Sequence, residues 1–292
     1  MRTLTEHRIR LPLRIPLGGV PHRNAILLEG PAGWGEWSPL PGYPSDPAVC
    51  RRAAEEAATT PWPMAVRSRV RVNALIPAVS PATAAALAVG LVDVKVKVGV
   101  DVGSVDVDRV AAVRDAIGPH ARLRVDANGA WDVDKAISMI ERLAPLDLEL
   151  VEQPVASLED LAAVRRRVTV PVAADESVRN LDDARRLAAL GAADALVVKV
   201  QPLGGIAATL EVIAAAGVAV IVSSMYETSV GLAAGLALAA ALDQLPFACG
   251  LGTAGLFVGD VVADPLDPVD GWLTVRRPVP DVGLLARYGV AG

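Results

Sequence analysis

Six polar residues, each closing an apolar run, constrain the fold most tightly: Lys97, Asp126, Glu152, Asp175, Lys199 and Ser223, separated by 29, 26, 23, 24 and 24 residues. The runs are Val-, Ala- and Leu-rich (residues 70–77, 94–98, 123–126, 148–152, 170–175, 195–200, 218–223 and 247–250) and read as strands. Between them, residues 105–117, 133–143, 158–168, 181–190 and 207–216 carry helical spacing. The strands are continuous rather than alternating, as expected when both sheet faces are covered. Strand–helix alternation over so long a stretch predicts a parallel α/β sheet. An open sheet gathers its ligand groups at one switch point. Functional groups on five or six successive strand ends converge only if the sheet closes, at the carboxyl-end rim of a barrel. There is no P-loop, so a P-loop nucleotide site is not indicated.

The barrel texture spans residues 70–262. Before it, residues 1–69 form a small α+β segment. Residues 4–13 alternate loosely, 24–29 are strand-like, and G-W-G-E-W-S-P (Gly33 to Pro39) supplies turn residues. Asp46 can cap a helix over 46–59, with Pro47 in its first turn. After it, residues 263–292 are Pro-, Asp- and Arg-rich, with one strand in D-G-W-L-T-V (Asp270 to Val275); so short a tail is expected to return to the amino-terminal segment.

Composition narrows the function. Lys plus Arg is 28 against 33 Asp plus Glu, a formal charge of −5, which offers no basic surplus for a phosphate backbone. Aromatics at 3% leave little for base stacking, so nucleic acid is not an expected partner. Two cysteines and three scattered histidines exclude a disulfide framework and a His/Cys metal cluster. The charged amino terminus lacks a signal-peptide core, and the charge-free run Asn73 to Val92 is broken by Pro77 and Pro81. These features predict a cytoplasmic protein with no membrane partner and no obligate protein partner.

Asp126 in V-D-A-N, Glu152 in V-E-Q-P and Asp175 in A-D-E-S each follow a strongly apolar strand, where an unpaired anion is costly. Each alone could cap a helix or pair with an Arg; three on consecutive strands repel one another unless a cation joins them. An all-oxygen ligand set favours Mg²⁺, with Mn²⁺ as substitute. Glu176, next to Asp175, should point the other way. Lys95 and Lys97 are two apart and share a strand face. With Lys199 they are either acid/base groups with lowered pKa near a metal or simply neutralise the carboxylates. Arg124 and Asn128 share the face of Asp126, and Arg124 either forks a substrate carboxylate or orients Asp126. Ser223 ends the seventh strand, and G-L-G-T (Gly250 to Thr253) ends the eighth. Lys95, Arg124, Asn128, Ser223, Gly252 and Thr253 are therefore the candidate substrate contacts, although barrel turns need glycine for their own geometry.

The K-x-K, D-x-N, E-Q-P, D-E-S and K-x-Q motifs, in this order and spacing, resemble the enolase superfamily, and within it the muconate-lactonising subgroup. The G-W-G-E-x-x-P stretch is similar to that family's amino-terminal capping domain. The resemblance implies a (β/α)7β modified TIM barrel with a small, reduced α+β cap. It implies Mg²⁺ on Asp126, Glu152 and Asp175, acid/base lysines at Lys97 and Lys199, and a small-molecule carboxylate substrate that loses its α-proton. The absence of His beyond His120 sets the chain apart from mandelate-racemase-like members, and G-L-G-T stands where dipeptide epimerases carry Asp-x-Asp. What remains are members acting on muconate or succinyl-bearing carboxylates, a dehydratase first and a racemase second. Only one helix fits between Tyr43 and Val70, so closure over substrate is expected from a loop at Arg14 to Arg23, through Gly18 and Gly19.

Overall fold

The structure is a computed structural model and describes residues 4–17, 19–101 and 104–290. The chain opens with an antiparallel sheet, β1 (Thr5–Leu17), β2 (Val20–Gly30) and β3 (Gly33–Trp37), in that order. β1 alternates as a half-buried strand should: Ile9, Leu11 and Leu13 are buried, and Arg8 and Arg10 are not. β2, the central strand, is buried on both faces. Its Ala25 and Leu27 join the β1 cluster with Phe257, Val261 and Val262, while Ile26 and Leu28 pack on Ala54 and Ala58 of α1 (Pro47–Thr59). Asp46 caps α1 by accepting from Ala48 N at 2.8 Å. β3 must carry glycine where it crosses α1: a Cβ on Gly35 would meet Ala54 O at 2.0 Å. The expected loop at Arg14 to Arg23 is instead the hairpin end of β1 and β2, where Leu17 pairs with Val20; Gly18 lies outside the described residues.

The expected first barrel strand, 70–77, is two. β4 (Arg69–Arg71) and β5 (Ala74–Ile76) are separated at Asn73, whose buried side chain donates to Ala74 O at 3.3 Å. The chain continues α2 (Pro81–Ala88), β6 (Asp93–Lys97), α3 (Val105–Ile117), β7 (Arg122–Asp126), α4 (Val133–Leu143) and β8 (Leu148–Glu152). Then follow α5 (Leu158–Arg165), β9 (Val172–Ala174), α6 (Leu181–Leu190), β10 (Ala195–Lys199), α7 (Val200–Leu203), α8 (Ile206–Ala216), β11 (Ala219–Ser223) and α9 (Ser229–Ala241). β5 to β11 form a sheet in sequence order, with parallel pairs from β5 through β10. The eighth strand is reduced to two bridging residues: Cys249 pairs with Val72, and Gly250 with Ser223. This is the (β/α)7β barrel. Asp132, Ser157 and Asn180 cap the helices that follow three of its strands. Among the described residues no helix is long and apolar enough to cross a membrane.

By internal contacts the chain divides into residues 1–72, 198–212 and 222–292 as one unit, and 73–197 with 213–221 as the other. This division cuts across the three consecutive segments read from texture. Within the first unit, the last part of the chain returns to the cap. β12 (Trp272–Thr274) pairs antiparallel with β4, and Val290 N, beyond α10 (Val282–Tyr288), donates to Arg8 O at 3.0 Å.

Candidate active site

The strand ends fall where the spacing put them. Lys97, Asp126, Glu152, Lys199 and Ser223 are the last residues of β6, β7, β8, β10 and β11, and Asp175 directly follows β9. Register does the alignment within the second unit. Lys97 is opposite Asp126, Asp126 opposite Glu152, and Glu152 opposite Ala173, two residues before Asp175. Period two therefore puts Lys95, Lys97, Asp126 and Glu152 on one sheet face, and Asp175, just past β9, is near enough for its charge to act on Lys95.

Lys95 reaches across this face. Its Nζ donates to Asp126 Oδ2 at 3.0 Å and to Glu152 Oε1 at 2.9 Å. All three side chains are largely buried, at 13%, 6% and 2% exposure. Burial by itself would lower the Lys95 pKa, but the charges of Asp126, Glu152 and Asp175 outweigh it and hold the ammonium well above the usual lysine range. Asp126 responds in the opposite sense. Burial would raise it, yet Lys95 and Lys97, with the Asn128 N–H, hold it below the usual carboxylate range. Lys97 is lowered, chiefly by burial and partly by Lys95, against the pull of Asp126 and Glu176.

Asn128 links the rim. Its N–H donates to Asp126 Oδ1 at 3.0 Å, its Oδ1 accepts from Lys97 Nζ, and its Nδ2 donates to Glu176 Oε1 at 2.6 Å. Glu176 thus joins the Lys97 side of the rim, contrary to its expected outward direction. Parity fails there because β9 has already ended at Ala174. Arg124 is buried and bonds Glu149 Oε2 at 2.5 Å, across a register irregularity in which Glu149 is the extra residue.

Two residues went unassigned in the sequence. Gln153 Oε1 accepts from Asp175 N at 2.6 Å and Ser177 Oγ at 3.0 Å, anchoring the Asp175 backbone. Arg109 is 1% exposed; it bonds Val79 O, Lys97 O and Asp106, fixing the backbone at Lys97. A polar residue in an E-Q-P motif and an Arg among helical valines were the available signals. Asn128 and Gln153 have φ of +43° and +38°, so the backbone is strained two residues after Asp126 and immediately after Glu152.

In the first unit, Lys199 Nζ donates to Tyr43 Oη at 3.2 Å and stands 4.5 Å from the centre of its ring. Gln201 Oε1 accepts from Ser38 N at 3.0 Å, and its Nε2 donates to Ser38 Oγ and Glu227 Oε1, both at 3.1 Å. Glu36, from G-W-G-E, accepts from Thr228 N, Gly231 N and Ser38 Oγ, and burial pushes it up to about 7. Ser223 and Ser224 donate to Gly250 O at 3.4 and 2.8 Å, and Ser224 Oγ is 3.0 Å from Thr253 Oγ1. Gly252 lies between these partners in sequence.

Among the described residues, no three His, Cys, Asp or Glu side chains are gathered into a metal cage as they stand, and Lys95 spans Asp126 and Glu152. The donor chemistry nevertheless fits a hard divalent cation. Three buried carboxylates end or follow three neighbouring strands at aligned register, and they offer oxygen only.

Comparison with known families follows the same division of fold: residues 9–58 match the enolase N-terminal domain-like family and 79–284 the enolase C-terminal domain-like family. Among solved structures, muconate cycloisomerase from Pseudomonas fluorescens superposes with a TM-score of 0.86, covering 99% of this chain and 98% of that one at 21% identity. For 2-chloromuconate cycloisomerase from Rhodococcus opacus 1CP the TM-score is 0.85, with 99% of both chains covered at 23% identity. The o-succinylbenzoate synthase of Thermobifida fusca (strain YX) is 52% identical over 281 residues, 94% of this chain and 88% of that protein. That of Mycolicibacterium smegmatis is 46% identical over 287 residues, 96% of this chain and 88% of that protein. The chain belongs to the enolase superfamily and, within it, to the o-succinylbenzoate synthase family.

Proposed function

We propose that the chain catalyses the syn-dehydration of 2-succinyl-6-hydroxy-2,4-cyclohexadiene-1-carboxylate to 2-succinylbenzoate, a step of menaquinone biosynthesis, in the cytoplasm. The observation that carries the reading is the register pairing of Lys97 with Asp126 beside a buried Lys95–Asp126–Glu152 charge set, in a chain 52% identical to a synthase of this name. Asp126, Glu152 and Asp175 would hold Mg²⁺, or Mn²⁺ in its place, which when bound supplies Lewis-acid stabilisation of a substrate carboxylate whose α-carbon loses its proton.

Lys97 does the proton work. Burial lowers its pKa, the direction a lysine base requires, and Asn128 Oδ1 fixes its Nζ on the rim. It takes the proton from the carbon bearing the carboxylate and returns it to the departing hydroxide, so one residue serves as base and then as acid. The C–H and C–O bonds break, the ring becomes aromatic, and water leaves. Lys199 acts as a fixed positive charge toward the electron-rich ring. Ser223, Gly252 and Thr253 supply donors to an anionic arm of the substrate.

Lys97→Ala and Lys199→Arg test these roles. Lys97→Ala should lower dehydration by about 10²–10⁴-fold while product binding persists. Lys199→Arg keeps the charge but cannot serve as a base at neutral pH, so it should retain part of the dehydratase activity and lose any racemisation of N-succinylamino acids. Equal losses in both assays, with product binding intact, would refute the electrostatic role.

A further inference from the structure

Tyr43 belongs to none of the strand-end motifs, yet its placement is built from the sequence upward. Leu40-Pro41-Gly42-Tyr43 has the composition of a type II turn, with Pro at the second position and a positive-φ Gly at the third. Gly42 has φ of +84°, and Tyr43 N donates to Leu40 O at 3.1 Å. The root of this turn is held by buried bonds. Ser38 N donates to Gln201 Oε1, Arg23 Nη2 donates to Ser38 O at 2.5 Å, and Arg23 Nη1 donates to Pro39 O at 3.2 Å. The tip delivers Tyr43 to Lys199, whose Nζ meets both the ring face at 4.5 Å and the phenol oxygen at 3.2 Å. Both contacts are strongest for an ammonium: the ring face attracts a cation, and a charged donor makes the shorter, stronger hydrogen bond.

We propose that Tyr43 is the positioning residue of Lys199, holding it as a fixed ammonium and thereby selecting one-base dehydration over two-base racemisation. The inference rests on the dehydratase reading and extends it to what decides between the two reactions. A racemase needs Lys199 to give and take a proton at the substrate carbon, so during part of each turnover the amine must be neutral. A phenol and an aromatic face stabilise the opposite state. Dehydration needs only the charge.

Tyr43 is half-buried between exposed Gly42 and Pro44, so its replacement leaves the core untouched. The chain has only four lysines, Lys95, Lys97, Lys135 and Lys199, which makes lysine labelled with ¹³C at Cε a resolvable probe. The Lys199 signal is assigned by its absence from Lys199→Arg. In wild type and in Tyr43→Phe it should be displaced upfield by the ring, and in Tyr43→Leu it should return toward the signal of Lys135. In turnover, Tyr43→Leu should lower kcat for dehydration about tenfold with KM within about twofold, and Tyr43→Phe should recover most of the loss. The ratio of racemisation to dehydration should rise in Tyr43→Leu. A Lys199 signal that does not move in Tyr43→Leu, an unchanged kcat, or a loss confined to KM would overturn the proposal. The labelled sample is read without substrate. A wild-type protein lacking dehydratase activity would therefore refute the functional reading, while the Lys199 signal would still decide whether Tyr43 holds it.

Discussion

Replacing Lys95 with methionine removes a cation bonded to both Asp126 and Glu152. Methionine keeps the length and apolar bulk of the lysine stem, so packing changes little. What is lost is two buried ion-pair bonds, at 3.0 and 2.9 Å, to carboxylates only 6% and 2% exposed. Breaking such a pair from one side costs about 3–5 kcal/mol, because the remaining anions stay buried. At about 2–4 °C per kcal/mol for a chain of this size class, the metal-free Tm of Lys95→Met should fall by about 6–20 °C. Mg²⁺ at a hundredfold excess over its Kd stabilises a protein that binds it by about 2.7 kcal/mol. In the variant, the ion also supplies the missing positive charge, so its Mg²⁺-dependent gain in Tm should exceed that of wild type. Differential scanning calorimetry with chelator and then with Mg²⁺ measures both quantities. A metal-free loss below about 2 °C, or equal Mg²⁺ gains in the two proteins, would refute the argument.

Other consequences follow from the same geometry. Glu36 keeps its proton to about 7 when folded but only to about 4.3 when unfolded. The folded state therefore binds more protons in that window, and stability should fall as pH rises through it. Glu227 and Asp260 are raised by burial and act in the same sense. Glu36→Gln should flatten the decline, as read from urea midpoints at about pH 5 and about pH 7; an unchanged slope would remove Glu36 from the account. Gln153→Ala frees the N–H of Asp175 and the hydroxyl of Ser177, and should weaken Mg²⁺ affinity by about 10–100-fold in a calorimetric titration. Arg109→Met leaves the buried Asp106 carboxylate with the Gly99 N–H but without its guanidinium and releases the Lys97 carbonyl, so a loss of stability of about 3–5 kcal/mol is expected in urea unfolding.

Spacing and strand texture carried most of the barrel. Five of the six polar positions close their strands and Asp175 follows its own, because a hydrophobic run stops where the chain meets a polar rim. A helix start was legible where capping chemistry is local, as at Asp46, whereas the caps at Asp132 and Asn180 emerged only from the structure. The split at Asn73 was not, since it depends on β4 finding a partner in β12, some two hundred residues away. Side-chain direction was legible only inside strands. Lys95 and Lys97 obeyed period two, whereas Glu176, just past the end of β9, did not. Tyr43 and Gln153 act through contacts that a turn and a positive-φ residue create, which no periodicity records.

The most direct measurement is an absorbance assay of the purified chain with Mg²⁺ and 2-succinyl-6-hydroxy-2,4-cyclohexadiene-1-carboxylate. The account predicts continuous formation of aromatic 2-succinylbenzoate that stops with excess chelator and is absent in Lys97→Ala. A folded, Mg²⁺-supplied protein that forms no product, or a Lys97→Ala variant within a few-fold of wild type, would contradict it.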